Sequence, residues 1–389
     1  SPTDSPAGTP DSPAPDTPEG SPEAPGPRQG TWVWGSNSLS QLGAPGSSAH
    51  APRALADTYE TVAGGKDFAC GVLRDMTVQC WGANSLFQSG QSSGVTVATP
   101  TTVAGAQCVD QLSAGTAHVC VRNTGNNVLC WGSNVDGQLG NGSTINTSTP
   151  GVVSLSADFS QVSAGDNHTC AVVKTVGSLY CWGGNESYQL GDGTQTSSST
   201  PLQVGSGAWE AAAAGLSATC ALEAQNQGVQ CWGSNQYGQS GTGSEELYTE
   251  TPTTLNQLLG IPQAIDGRGG MFCSLASNGI AMCWGLGSSG QIGNGSTQET
   301  NGTPAQVSSP DALTALSVGG SHACATTSAG GLVCWGDNGA GQLGLGTNVA
   351  LYAWPQAVDL LPSSFSAAWD NTYAVGIRST WESPDSPAG

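Results

Sequence analysis

Along most of the chain the apolar positions come in runs of about four to six residues that alternate with Ser, Thr, Gln or Asn, and Gly, Asn or Ser closes each run. The segment "HTCAVVKTVGSLYCWGGN", residues 168–185, holds two such runs around a short polar turn. A period of two predicts strands, and no stretch keeps apolar residues at the 3.6 spacing of a helix. Near-copies recur at "HVCVRNTGNNVLCWGSN", "ATCALEAQNQGVQCWGSN", "FCSLASNGIAMCWG" and "HACATTSAGGLVCWGDN", so the segment is one unit of a repeat.

Three markers count the units. Trp-Gly followed by Gln and Gly occurs at Trp34, Trp81, Trp131, Trp182, Trp232, Trp284 and Trp335. A Pro opening a short alternating run follows each, at Pro52, Pro100, Pro150, Pro201, Pro252, Pro304 and Pro355. Strings such as "SAGTAHVC" lead to Cys70, Cys120, Cys170, Cys220, Cys273 and Cys324, with a degenerate seventh copy, "WDNTYAV", at 369–375. Seven strand-built units of 47–52 residues predict an all-β, seven-bladed propeller, because a small sheet buries its faces only against its neighbours and the ring must close. The first Trp-Gly strand lacks the strand that precedes it elsewhere, and the last "AAWDNTYAVGIR" strand lacks its Trp-Gly follower. The two ends therefore complete one shared closing blade, which removes an open edge.

Residues 1–29 carry a Pro every two to four positions and almost nothing apolar, which predicts a polyproline II tail or linker. The expected division is thus a tail at 1–29, a propeller at 30–378 and a linker-like end at 379–389 that echoes the opening "SPTDSPAG". At about 3.1 Å per residue the tail would reach roughly 90 Å, enough to lie across a neighbouring copy and propagate a head-to-tail fibre.

Charge narrows the partners. The chain has 28 acidic and 8 basic residues and a formal charge of −20. With no clustered Lys and Arg to neutralise phosphates, nucleic acid is not an expected partner. No apolar run has the length of about 20 residues needed to span a bilayer as a helix.

Twelve of the 13 cysteines pair by position: Cys70 with Cys80, Cys120 with Cys130, Cys170 with Cys181, Cys220 with Cys231, Cys273 with Cys283, and Cys324 with Cys334. In the closing blade both positions are lost together, to Val33 and Tyr373. Joint loss fits disulfide partners better than independent thiols, with reduced core thiols the alternative. Zinc would need about four convergent ligands, and each blade offers two. Disulfides imply an oxidising location, extracellular or at the cell surface. Cys108 has no repeat partner and is expected as a buried thiol rather than an intermolecular bridge.

His118, His168 and His322 occupy one slot of three units, where other units have Phe68, Ala218 and Met271. A slot that accepts Phe and Ala is a packing position, so neither a metal nor a catalytic site is expected. Glu245, Glu246 and Asp192 fall in turn strings whose equivalents are Ser, Asn or Thr, without the spacing of paired acid-base work. No cofactor and no enzymatic activity are expected. Asn-x-Ser/Thr strings occur at Asn141, Asn146, Asn167, Asn185, Asn294 and Asn301. Leu247 and Tyr248 in "SEELYTE", and Leu351, Tyr352 and Trp354 in "VALYAWP", bring apolar side chains to loops that are Ser- and Thr-rich in sister units. They are the candidate contact residues, with folding down over a neighbouring blade as the alternative.

The strings "AGDNHTCAV…LYCWGGNESYQLGDGT" and "VGGSHACAT…LVCWGDNGAGQLGLGT" resemble the regulator of chromosome condensation repeat family over residues 30–378. The resemblance implies a seven-bladed propeller whose glycines and tryptophans are structural. Its eukaryotic founder is a nuclear exchange factor for a small GTPase that docks on nucleosomes, whereas secreted bacterial members include protein binders that inhibit β-lactamases. The acidity and paired cysteines of this chain fit the secreted, bacterial type, and no unit carries a long insertion for exchange. Two functions follow as expectations. The first is a non-enzymatic extracellular structural or adhesive module that assembles into a surface fibre through its Pro-rich tail. The other is a secreted propeller that binds or inhibits a protein or glycan through one face of the ring. The expected partner is a protein, other copies of the chain included, or a glycan.

Overall fold

The structure is a computed structural model that describes residues 29–225, 228–300 and 302–378. The proposed tail at 1–29, apart from Gln29, and the linker-like end at 379–389 lie outside the described residues, as does the sequon asparagine at 301. Seven four-stranded antiparallel sheets form the ring. Blade 1 runs outward through Tyr59–Gly64, Phe68–Leu73, Val78–Gly82 and Val97–Thr102. Blades 2 to 6 repeat this order from Val109, Phe159, Trp209, Pro262 and Leu313. The first strand of each blade touches its counterparts on both sides and lines the central channel. In six blades the outermost strand carries the marker proline, and in blade 5 Pro304 stands just before it; an edge tolerates proline because its open side has no ladder bond to donate.

Blade 7 closes the ring as the sequence predicts. Its two inner strands, Leu361–Ala367 and Asn371–Ile377, come from the C-terminal end, and its two outer strands, Gln29–Gly35 and Ala49–Ala54, from the N-terminal end. Register runs unbroken from Gln29 opposite Ile377 to Gly35 opposite Asn371. The strand already begins at Gln29, and Trp32 Nε1 donates to the Gly376 carbonyl at 3.1 Å.

The markers explain how one blade grips the next. Each marker tryptophan is fully buried, and its indole N–H donates to the main-chain carbonyl of the Gln in the preceding blade: Trp81 to Gln41 at 2.9 Å, Trp131 to Gln88 at 3.1 Å, Trp182 to Gln138 at 2.9 Å. The remaining four make the same bond. Gly140, two residues after Gln138, has φ +66° and a missing side chain that would meet Trp182 Nε1 at 2.6 Å. Gln-Leu-Gly is thus a seat for the next indole.

Each cysteine pair stands directly opposite in register on neighbouring strands, as Cys70 does to Cys80, and is joined by a disulfide. Each disulfide lies in the core shared with the following blade, under its tryptophan: Cys170 and Cys181 pack with Trp232, and Cys220 and Cys231 with Trp284. In blade 7, Val33 and Tyr373 fill this volume beneath Trp81, and the Tyr373 hydroxyl donates to the Gln41 carbonyl at 3.0 Å. Cys108 departs from the expectation of a buried thiol: it is exposed. The loop Val103–Cys108 buries Val103 and Ala106 instead, and positive φ at Cys108 (55°) turns its side chain outward.

Candidate functional site

The three histidines join blades and do not converge. His118 Nε2 lies 2.8 Å from Thr169 Oγ1, His168 Nε2 2.9 Å from Thr219 Oγ1, and His322 Nε2 2.8 Å from Thr372 Oγ1, each threonine standing on the next blade. Each threonine hydroxyl donates onward to a Gln carbonyl, as Thr169 does to Gln138 at 2.9 Å, so it accepts from the imidazole and fixes the Nε2–H tautomer. Burial pushes all three imidazoles down to about 3, and they are neutral at pH 7. Where the histidine is absent, the partner position holds no threonine: Phe68 faces Val119, Ala218 faces Phe272, and Met271 faces Ala323. That pairing was present in the sequence as a correlation between neighbouring units. No cluster of metal-ligating side chains exists among the described residues.

The loops that join first to second strands, and third to fourth, lie on one face, here called the loop face. Seven short turns there ring the channel mouth and are laced by main-chain bonds such as Lys66 N to Thr116 O and Asp166 N to Gly215 O. In this ring Arg268 takes the position that is Gly65, Gly115, Gly165, Gly215 and Gly319 in other blades. It donates to the Ala114 carbonyl of blade 2, across the channel, at 2.7 Å. Asp166 stands opposite, held by the Thr116 hydroxyl. Burial pushes its carboxyl up to about 6 against that bond and the charges of Arg268 and Lys66. Lys66 lies over the Trp369 ring, 5.9 Å from its centroid. Sequence reasoning passed over Arg268; the signal was a lone charge in a glycine slot.

Further out, blade 5 breaks the repeat. In the other six blades an Asn two residues after Trp-Gly folds the long loop: Asn235 Oδ1 accepts from Ser240 N at 3.0 Å, and its Nδ2 donates to the Ser244 and Glu246 carbonyls at 3.0 and 2.7 Å. Blade 5 has Gly287 there, and its outer strand shrinks to Ala305–Gln306. Between this altered loop and that of blade 4 opens a cleft of about 530 Å³ with Tyr237, Glu245, Leu247 and Glu299 in its walls. A groove on the opposite face beside Lys174 and Trp209 has about 370 Å³.

The predicted contact residues flank this altered loop on two sides. Leu247 is 59% exposed in the cleft wall, and Tyr248, 38% exposed, lies beside Tyr188 with ring centroids 5.7 Å apart. On the far side Trp354 is 55% exposed at the ring's edge and lies against Gly295. Leu351 and Tyr352 are half-buried, with the Tyr352 hydroxyl 3.2 Å from Thr347 Oγ1. The structure does not join the two groups into one patch. Of the sequons, Asn185 is fully buried with its amide bonded to Asp192 and Thr194, which removes it as a glycosylation acceptor.

Comparison with known proteins agrees with this architecture. The pattern of the Regulator of chromosome condensation (RCC1) repeat matches residues 126–172, 176–222 and 278–326, and a second pattern of the same description matches 109–138, 159–189, 210–239 and 313–342. The chain belongs to the RCC1 repeat family. Human WBSCR16 superposes with a TM-score of 0.81 at 21% identity, over 91% of this chain and all of that one. Yeast RCC1 (Prp20), solved bound to Kap60, gives a TM-score of 0.81 at 18% identity, over 91% of this chain and 90% of that one. The ectodomain of the receptor kinase CR4 from Physcomitrella patens gives 0.51 at 19% identity, over 79% and 67%. No curated protein matches the chain by sequence. No helix of the described residues is long and apolar enough to cross a membrane.

Proposed function

We propose that this RCC1-repeat propeller is a non-enzymatic binding scaffold that docks a protein partner on its loop face, at the cleft between blades 4 and 5. The observation that carries the reading is the local break of the repeat: where Gly287 replaces the loop-folding Asn, a cleft opens with exposed Tyr237 and Leu247 in its walls. Aromatic and aliphatic anchors beside a concavity are what interface centres use. Yeast RCC1 bound to Kap60 supports the use of such a ring to hold another protein. Six disulfides support an extracellular or cell-surface location, in keeping with a secreted member of the family. The fibre reading rests on the Pro-rich tail at 1–29, which apart from Gln29 lies outside the described residues; the cleft favours the binder.

The test is retention of proteins from the native surroundings of the chain on three immobilised forms: wild type, Tyr237→Ser with Leu247→Ser, and a control with Met76→Ser on the opposite face. A partner held by wild type and control but lost from the double variant supports the reading. Equal retention by all three overturns it.

A further inference from the structure

We infer that the partner of the loop face is a basic polypeptide segment that places an apolar side chain in the cleft and Lys or Arg on the carboxylates around it. The inference rests on the proposed docking at this cleft and adds the chemical class of what docks. Its ground is the larger excess of unpaired carboxylates on the loop face.

Among the described residues, the loops and strand ends of the loop face hold ten carboxylates against two bases, Lys66 and Arg268. Both bases are at the channel mouth, beside Trp369 and Asp166. The opposite face holds six carboxylates against three bases. The three salt bridges among the described residues, Arg74–Glu60, Arg122–Asp110 and Arg378–Asp359, all lie away from the loop-face loops. Carboxylates around the cleft therefore stay without cationic partners: Glu245 and Glu299 in its walls, and Glu246 next to Glu245. Like charges set round one concavity add their fields and raise the local concentration of an oppositely charged ligand. An acidic or neutral segment would gain no such attraction, and a nucleic acid would be repelled. Tyr237 and Leu247 form the apolar part of a cleft otherwise lined by Asn235, Gln236, Ser244, Glu245 and Glu299, so one Leu, Met or aromatic side chain of the segment meets them while Lys or Arg beside it meets the carboxylates.

The experiment selects random twelve-residue peptides displayed on phage against the folded, disulfide-bonded chain, and measures the winners by fluorescence anisotropy. The expected winners carry net positive charge around one large apolar residue and weaken steeply as salt rises. They lose about tenfold in affinity on Glu245→Gln/Glu246→Gln/Glu299→Gln, from three rim charges of modest worth each. They also weaken on Leu247→Ala, while Met76→Ser leaves them unchanged. Winners that depend on Leu247 but are neutral or acidic, or that bind the triple variant as well as wild type, overturn the inference and leave the docking site standing. Winners indifferent to both Tyr237→Ser and Leu247→Ser, or saturable binding of a neutral oligosaccharide in the cleft instead of a peptide, overturn both.

Discussion

Replacing Thr169 by Val while His118 stays in place should cost more than removing both residues. In the structure the His118 Nε2–H has Thr169 Oγ1 as its acceptor at 2.8 Å, in a fully buried position between blades 2 and 3. Thr169→Val takes that acceptor away, and a buried donor left without one costs about 1–3 kcal/mol. The Gln138 carbonyl that Thr169 served still receives Trp182 Nε1 at 2.9 Å, so it adds little. Adding His118→Phe removes the orphaned donor and recreates the Phe68/Val119 pair that the chain uses between blades 1 and 2, where the ring turns back over Gly65 as His118 does over Gly115. The double variant should therefore recover about 1–2 kcal/mol relative to the sum of the singles. Urea unfolding of the oxidised protein, followed by Trp fluorescence, gives the four free energies, provided each unfolds in one transition. Strict additivity, or a neutral Thr169→Val, would refute the claim that histidine and threonine act as one unit.

Protonation should act through the same contact. Because His118 titrates near 3 folded and near 6.5 unfolded, the unfolded chain binds the extra proton between those values, and stability falls as pH drops through that window. The raised carboxyl of Asp166 works the other way, its contribution being lost as pH rises from 3.8 through about 6. The His118→Phe/Thr169→Val variant should accordingly show a stability slope between pH 6 and 4 shallower than wild type by one proton, about 1.4 kcal/mol per pH unit; an unchanged slope in acid titrations of urea unfolding would count against the assignment. Replacing Cys170 and Cys181 together by Ala reopens a loop closed over a separation of 11 residues, and unfolding free energy should drop by about 3 kcal/mol, whereas no loss would mean that the bridge does not form. Gly140→Ala should cost more than about 1 kcal/mol in the same assay, because the position has φ +66° and the added carbon meets Trp182. In gel-shift and nucleotide-exchange assays the chain should neither bind DNA at physiological salt nor accelerate release from a small GTPase; micromolar DNA affinity would contradict the charge argument.

The ring itself could be read before any coordinates because its grip is repeated. Trp, Gln and Gly recur since each blade must offer the next an indole and a seat, and a contact made seven times leaves seven copies in the sequence. Closure was legible for the same reason, as an unfinished unit at each end. What escaped was whatever happens once. Arg268 departs from a glycine slot in a single blade, and Gly287 departs from the Asn slot in a single blade, so neither adds to a repeat pattern. The His–Thr unit was visible in principle, but it links residues about 50 positions apart and shows only when one unit is compared with the next. Cys108 was misplaced because hydrophobic character alone does not say which residue of a loop turns inward; positive φ there gave the buried place to Ala106. The apolar loop residues were legible as unusual, but Leu247 stays exposed and Tyr352 folds down, and that difference depends on loop geometry rather than on residue type.

The measurement that bears most directly on the docking face is amide hydrogen exchange of the chain alone and in complex with a partner retained from its native surroundings. Slowed exchange is expected in residues 235–247 and 286–300, the loops on either side of the blade 4–5 cleft, and none in the hairpin turns at 74–77, 124–127 and 174–178. Protection of those turns, with the cleft loops exchanging as fast as in the free chain, would contradict docking at the cleft.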